Sequence, residues 1–166
     1  MTDHDTPDLS MLAGAVIDSA MAAGLMVTTA ESCTGGMVAA ALTDISGASA
    51  VLDRGVVTYS NAAKSDLLGV PQAILAAHGA VSAQTAAAMA DGALRAAPDA
   101  GLAIAITGIA GPGGGTAEKP VGLVWFGLAI RDADTLTTQH VFTGDRAAVR
   151  RQATATALAI MKKGIG

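Results

Sequence analysis

Apolar positions fall at helical spacing over residues 8–23, where Leu9, Leu12, Val16, Ile17 and Ala20 share one face. Gly24 then marks the end of that helix. The apolar run Leu25, Met26 and Val27 reads as a first strand. Thr28 to Gly36 reads as a tight turn, and an alanine-rich helix follows from Met37 to about Asp44. Ser46 to Ser49 form a loop. Residues 51–60 carry Val51, Leu52, Val56, Val57 and Tyr59 as a second strand. Ala62 to Leu68 form a helical turn or two that carry Lys64. Pro71 to Ala77 form a short helix with proline at an early position. Ser82 caps a longer helix through Ala96, which Pro98 stops.

The pattern then turns to strands. Gly101 to Thr107 is one, and it runs into Gly108 to Gly115, a stretch too rich in glycine for helix or sheet. Glu118, Lys119 and Pro120 close that loop. Val121 to Ile130 and Leu136 to Phe142 read as an antiparallel hairpin turning at Asp132-Ala133-Asp134. Asp145 caps a terminal helix with Val149, Ala153, Thr156 and Ile160 on its inner face. This order predicts an α/β fold, a three-layer α/β/α sandwich around a mixed sheet. Residues 8–166 read as a single domain without repeat or linker, and Met1 to Pro7 as a flexible N-terminal tail.

Composition narrows the picture. The residues are 51% hydrophobic and 14% charged, enough for a core and unlike a disordered chain. Mean hydropathy is +0.48, but it comes from alanine spread over several elements. No uninterrupted apolar run of about 18 residues suggests a membrane span, and the polar start is unlike a signal peptide. A net charge of −4 argues against a broad nucleic-acid-binding face. The single cysteine excludes an internal disulfide and agrees with a reducing, cytoplasmic setting. With aromatics at only 2%, helices can pack closely on the sheet, and the lone Tyr59 becomes conspicuous.

Four stretches carry candidate chemistry: Glu31–Gly36, Tyr59–Lys64, Thr107–Gly115 and Gly144–Arg146. In an α/β sheet all four can meet where strand ends open a cleft. Ser32 is the strongest nucleophile candidate, beside N–H groups that suit an oxyanion. Its hydroxyl needs a base. His4, His78 and His140 are poorly placed for that role, and no spacing suggests a metal site. Lys64 remains; burial would lower its pKa and leave a neutral amine. Tyr59 either relays a proton or orients that lysine. The plain alternative makes Ser32 a helix cap, Lys64 a surface charge and Tyr59 a core ring. Cys33 is a rival nucleophile if a helix end acidifies it, and inert packing if buried. Thr107–Gly115 either wraps a nucleotide or is a structural crossover. It is not a Walker A loop, lacking Gly-Lys-Ser/Thr. Arg146 is a phosphate partner or a solvated side chain like Arg150 and Arg151. Ser49 is a binding hydroxyl or a loop residue, and Glu31 a turn-holding or solvent-facing carboxylate.

The segments Ala30-Glu31-Ser32-Cys33-Thr34-Gly35-Gly36, Arg54 to Lys64, His78-Gly79-Ala80-Val81-Ser82, Thr107 to Gly114 and Gly144-Asp145-Arg146 occur in that order. So does Arg150-Arg151-Gln152-Ala153-Thr154 after them. Together they resemble the CinA C-terminal domain family, also described as competence/damage-inducible or nicotinamide-nucleotide amidohydrolase (PncC) proteins. The resemblance spans nearly the whole chain beyond the tail. It implies a deamidase that converts nicotinamide mononucleotide to nicotinate mononucleotide and ammonia in pyridine nucleotide salvage. It also implies an α/β/α sandwich assembled as a homo-oligomer, a dimer favoured. The family's catalytic positions match Ser32, Tyr59 and Lys64. Its substrate-contact positions match Gly35, Gly36, Ser49, Thr107, Gly108, Gly111 and Arg146, with Glu31, Cys33 and Thr34 taken as parts of the same binding turn. No cofactor or metal is expected. Larger members add an N-terminal domain that has no counterpart in this sequence. The alternative is a non-catalytic nucleotide-binding protein linked to competence or DNA damage.

Overall fold

A computed structural model describes residues 8–166, so the tail expected at Met1 to Pro7 lies outside the described residues. Six helices and five strands follow in the order α1 (Leu9–Ala23), β1 (Met26–Glu31), α2 (Met37–Thr43), β2 (Leu52–Val57), α3 (Asn61–Leu68), α4 (Gln72–His78), α5 (Ala83–Ala96), β3 (Ala100–Gly108), β4 (Leu123–Ile130), β5 (Leu136–Val141) and α6 (Arg146–Ile165).

The strand order is β2-β1-β3-β4-β5. β1 pairs parallel with both β2 and β3, while β3–β4 and β4–β5 are antiparallel. The sheet is therefore mixed. Large side chains Leu102, Ile104 and Ile106 of β3 join the core with α1, α2 and α6. The alternate residues Ala103 and Ala105 face α5 with Met89, Ala90 and Ala93. Period-2 alternation thus sorts one strand onto two faces. The alanine side lets α5 come close: a Cβ on Gly127 would sit 2.3 Å from the Ala86 carbonyl oxygen. Helices on both faces give the three expected layers.

Several capping signals act as read. The Ser82 and Asp145 side chains each accept from a backbone N–H three residues on, and Gly24 closes α1 in the left-handed region. Ser60, not singled out in the sequence, caps α3 in the same way. Other boundaries differ. Thr28 to Glu31, expected in the turn, continue β1, because β-branched threonines there pair with β2 on one side and β3 on the other. Pro71 sits just outside α4, at its N-cap. On α6, Thr156 and Ile160 are only half-buried, whereas Thr154, Ala155, Ala157, Leu158 and Met161 are buried along with Val149 and Ala153. α6 is wedged between α1 and the sheet, so it buries a broader arc than a single stripe.

This topology selects one edge of the sheet. The parallel strands β1, β2 and β3 all end there, at Glu31, Val57 and Gly108. β5 ends there too, since Leu123 opposite Gly108's neighbour pairs with Val141. The chain leaves β1 for β2 on one side and later returns to β3 on the other, so β1 is the point where the winding reverses and a crevice opens.

Candidate active site

The turn after β1 is built around a buried carboxylate. Glu31 Oε1 accepts from the amides of Gly36 at 3.2 Å and Val38 at 2.9 Å, and Oε2 accepts from Ala39 at 3.1 Å. These are the amides that a short helix leaves unpaired at its start. Glu31 is thus a buried backbone cap rather than a solvent-facing carboxylate. Gly35 and Gly36 hold φ of 60° and 102°, a region that side chains disfavour, and this bends the backbone back over Glu31.

Capping by Glu31 frees Ser32 from that task. Its hydroxyl oxygen lies 3.0 Å from Lys64 Nζ, and both residues are buried. Lys64 reaches inward from α3, which starts just after β2. Its amine also donates to the carbonyls of Thr58 at 2.7 Å and Tyr59 at 3.4 Å. Lys64 is only 1% exposed, and no described carboxylate forms an ion pair with it. Burying an uncompensated ammonium is costly, so burial pushes its pKa below the ordinary lysine range. A neutral amine has two N–H bonds and one lone pair. If the amine is neutral, the two carbonyls take its N–H bonds and its lone pair meets the Ser32 hydroxyl proton. Lys64 is therefore no surface charge, and the geometry suits a general base acting on a serine.

Tyr59 is 61% exposed, so it is no core ring. Its carbonyl faces the lysine, but its phenol points elsewhere and accepts from Arg146 Nη2 at 2.8 Å. Arg146 Nη1 donates to the Gly111 carbonyl at 3.0 Å. One guanidinium at the start of α6 thus ties the end of β2 to the glycine-rich loop, across the mouth of the crevice.

Cys33 is 5% exposed. Burial, above all, pushes its thiol up to about 11; its own backbone hydrogen bond opposes the rise. The thiol stays protonated near neutral pH, which is the packing outcome rather than the nucleophilic one.

The resulting cleft, of about 270 Å³, is lined by Ser32, Cys33, Tyr59, Lys64, Arg146 and by the Thr107–Gly114 loop with Gly108 and Gly111. Ala80 and Val81, between α4 and α5, complete it. The Thr107 hydroxyl donates to the Ala80 carbonyl at 2.7 Å, joining those walls. Not every expected residue arrives. Thr34 is fully buried, and Glu31, Thr34, Gly35 and Gly36 shape the turn without lining the cleft. Ser49 lies on a 3-10 turn, Ala48–Ala50, that precedes β2. It is therefore at the opposite end of the sheet from the cleft. A larger cavity, about 660 Å³, lies against β4, β5 and α6, with His140 and Lys163 as its only titratable lining groups. It holds no nucleophile–base pair.

One residue escaped the sequence reading. The sequence pattern places Arg150 with solvated side chains, yet its Nε donates to the Cys33 carbonyl at 3.0 Å and its Nη2 to the Thr34 carbonyl at 3.1 Å. These partners are 117 and 116 positions away, so no local signal reveals them. Among the described residues, no group of three or more His, Cys, Asp or Glu side chains is arranged to hold a metal ion, and no helix is long and apolar enough to cross a membrane.

The chain matches the family model described as "CinA C-terminal domain" over residues 9–165. It is 54% identical over 158 residues to a protein of Escherichia coli (strain K12) named nicotinamide-nucleotide amidohydrolase PncC, covering 95% of this chain and 93% of that one. Two crystal structures superpose closely. One is a competence/damage inducible protein from Agrobacterium tumefaciens, with TM-score 0.90, 50% identity, and coverage of 93% of this chain and 94% of that one. The other is a CinA superfamily protein from Klebsiella pneumoniae, with TM-score 0.91, 42% identity, and coverage of 96% and 98%. A match of nearly full length to the family model, backed by sequence and shape, means that this chain belongs to the CinA C-terminal domain family.

Proposed function

We propose that this protein is a nicotinamide-nucleotide amidohydrolase. It hydrolyses the carboxamide of nicotinamide mononucleotide to nicotinate mononucleotide and ammonia, and serves pyridine nucleotide salvage. The identity to the Escherichia coli relative supports the substrate and the reaction. The observation that carries the mechanism is the 3.0 Å approach of a buried lysine amine to a serine hydroxyl.

Neutral Lys64 takes the Ser32 hydroxyl proton as the oxygen attacks the carboxamide carbon. The carbonyl oxygen becomes an oxyanion and takes hydrogen bonds from turn amides next to Ser32. The Lys64 ammonium returns its proton to the departing nitrogen, so ammonia leaves and an acyl ester remains on Ser32. Lys64, neutral again, takes a proton from water as the water oxygen attacks the ester carbon; the ester bond then breaks, nicotinate mononucleotide leaves, and Lys64 returns the proton to the Ser32 oxygen. Tyr59 steadies the amine through its carbonyl. Arg146 meets the 5′-phosphate at the cleft mouth by exchanging its Tyr59 and Gly111 contacts for phosphate oxygens. Thr107, Gly108 and Gly111 line the nucleotide. No metal or cofactor takes part.

In the same reading, residues 8–166 act as one amidohydrolase domain in the cytoplasm, assembled as a homo-oligomer with a dimer favoured. Ser49, which lies away from this chain's own cleft, contacts substrate only across such an assembly. Neither nucleic acid nor membrane is a partner.

Ammonia release from nicotinamide mononucleotide, against nicotinamide and glutamine as controls, tests the reading. The wild-type protein releases it and Ser32→Ala does not. Full turnover in Ser32→Ala rejects the nucleophile. Nucleotide binding without any ammonia favours a non-catalytic nucleotide-binding protein of competence or damage responses.

A further inference from the structure

The Ser32–Met37 turn leaves two amides over. The Ser32 amide donates to Ile106 O, the Gly35 amide to Ser32 O, the Met37 amide to Thr34 O, and the Gly36 amide to Glu31. Among the described residues, the amides of Cys33 and Thr34 donate to no other residue, and that of Cys33 meets only its own sulfur. Both follow directly on the proposed nucleophile.

Their direction is set by their carbonyls. In a trans peptide the N–H points opposite to the C=O. The Ser32 carbonyl is turned toward Gly35, which fixes the Cys33 amide on the other side. The Cys33 carbonyl is turned toward α6 by Arg150 Nε, which sends the Thr34 amide away from α6. Arg150 Nη2 holds the next carbonyl, that of Thr34, in the same sense. Two consecutive carbonyls gripped by one planar fork cannot rotate independently. The crossing is tight: a Cβ on Gly35 would stand 3.1 Å from Arg150 Nη2. No described carboxylate forms an ion pair with Arg150, so its two backbone bonds are its main anchorage.

We infer that Arg150 is a positioning residue for the oxyanion site: its grip on the Cys33 carbonyl sets the Thr34 amide directly, and its grip on the Thr34 carbonyl holds the Gly35 amide on the Ser32 carbonyl and so sets the Cys33 amide, both toward the carbonyl oxygen that Ser32 attacks. The inference rests on the amidohydrolase reading above. Arg150 does not itself line the cleft, and it meets the lining residue Cys33 through the backbone carbonyl. Its effect is on transition-state stabilisation and not on nucleotide binding.

The test compares wild type, Arg150→Met and Arg150→Lys. Four quantities are measured: kcat and KM for nicotinamide mononucleotide, Kd for the product nicotinate mononucleotide, and the thermal midpoint. Losing one oxyanion donor costs about 100- to 1,000-fold in kcat, and a loosened donor less, so Arg150→Met should lose about 10- to 100-fold in kcat. KM and product Kd should stay within about threefold, since ground-state contacts are kept. Lysine grips one carbonyl but not both, so Arg150→Lys should recover part of the loss, ending about 3- to 10-fold below wild type. A tie that only stabilised the fold would lower the thermal midpoint without this split, and wild-type kcat in Arg150→Met overturns the inference. So does a loss of product binding that matches the loss of kcat. If Arg150→Met does not fold, unchanged kcat in Arg150→Lys overturns it instead. An inactive wild type with an intact fold removes the amidohydrolase reading itself, and the inference falls with it.

Discussion

Replacing Glu31 with glutamine disturbs three hydrogen bonds at once. The carboxamide keeps one oxygen, which in the place of Oε1 still accepts from Gly36 and Val38. Its NH2 group then faces the Ala39 amide, donor against donor. Losing one hydrogen bond to a charged group costs about 1.5–3 kcal/mol. Removing the negative charge from the start of α2 adds about 0.3–1 kcal/mol. The total, about 2–4 kcal/mol, corresponds to a fall in Tm on the order of 10 °C for a chain of this size. Ser32 is the next residue, so kcat should fall with the cap. Glu31 does not line the cleft, so product Kd should change by less than about threefold. Calorimetry of Glu31→Gln beside wild type reads the first effect, and product titration the second. A Tm within about 1 °C of wild type refutes the capping argument. Weakened binding at unchanged Tm restores Glu31 as a substrate contact.

Two further outcomes follow from the titrating groups. Cys33→Ala should keep most of its turnover, and thiol reagents near pH 7 should label Cys33 slowly, because the thiol is buried with its pKa raised to about 11; fast labelling with loss of activity assigns the nucleophile to Cys33 instead. Lys64 must be neutral to act, so kcat/KM should rise with pH through a pKa below the ordinary lysine value of about 10.4 and then level off. Stability carries the same sign. Between the lowered folded pKa and the ordinary unfolded one, the unfolded chain binds more protons, so stability rises with pH across that window. In Lys64→Met that rise is absent; a rise of the same size there assigns it to other groups.

Much of the fold was legible because its signals are local. Caps at Ser82 and Asp145, the stop at Gly24 and the switch from helical spacing to strand runs act within a few residues. The strand–turn–helix around Ser32 was legible for the same reason. Its inner division was not: Thr28 to Glu31 belong to β1 because of neighbours on both sides, which no single window contains. The width of the buried face on α6 was hidden by alanine, which is equally at home in the core and at the surface. At the site, Ser32 and Lys64 were legible as types of chemistry, but their 3.0 Å meeting depends on β1 and β2 ending at one edge. Glu31 as a triple cap and Arg150 as a clamp on two carbonyls were not legible. Both roles are defined by backbone atoms, which every sequence has, and Arg150 finds its partners across more than half the chain.

The account depends most on the charge state of one amine. NMR-detected titration of the Lys64 side chain, assigned by comparison with Lys64→Met, reads it directly. The account predicts that Nζ titrates below the ordinary lysine value of about 10.4, leaving a lone pair for the Ser32 proton. An Nζ that titrates at or above that value is a standing ammonium, and it would contradict the proposed base.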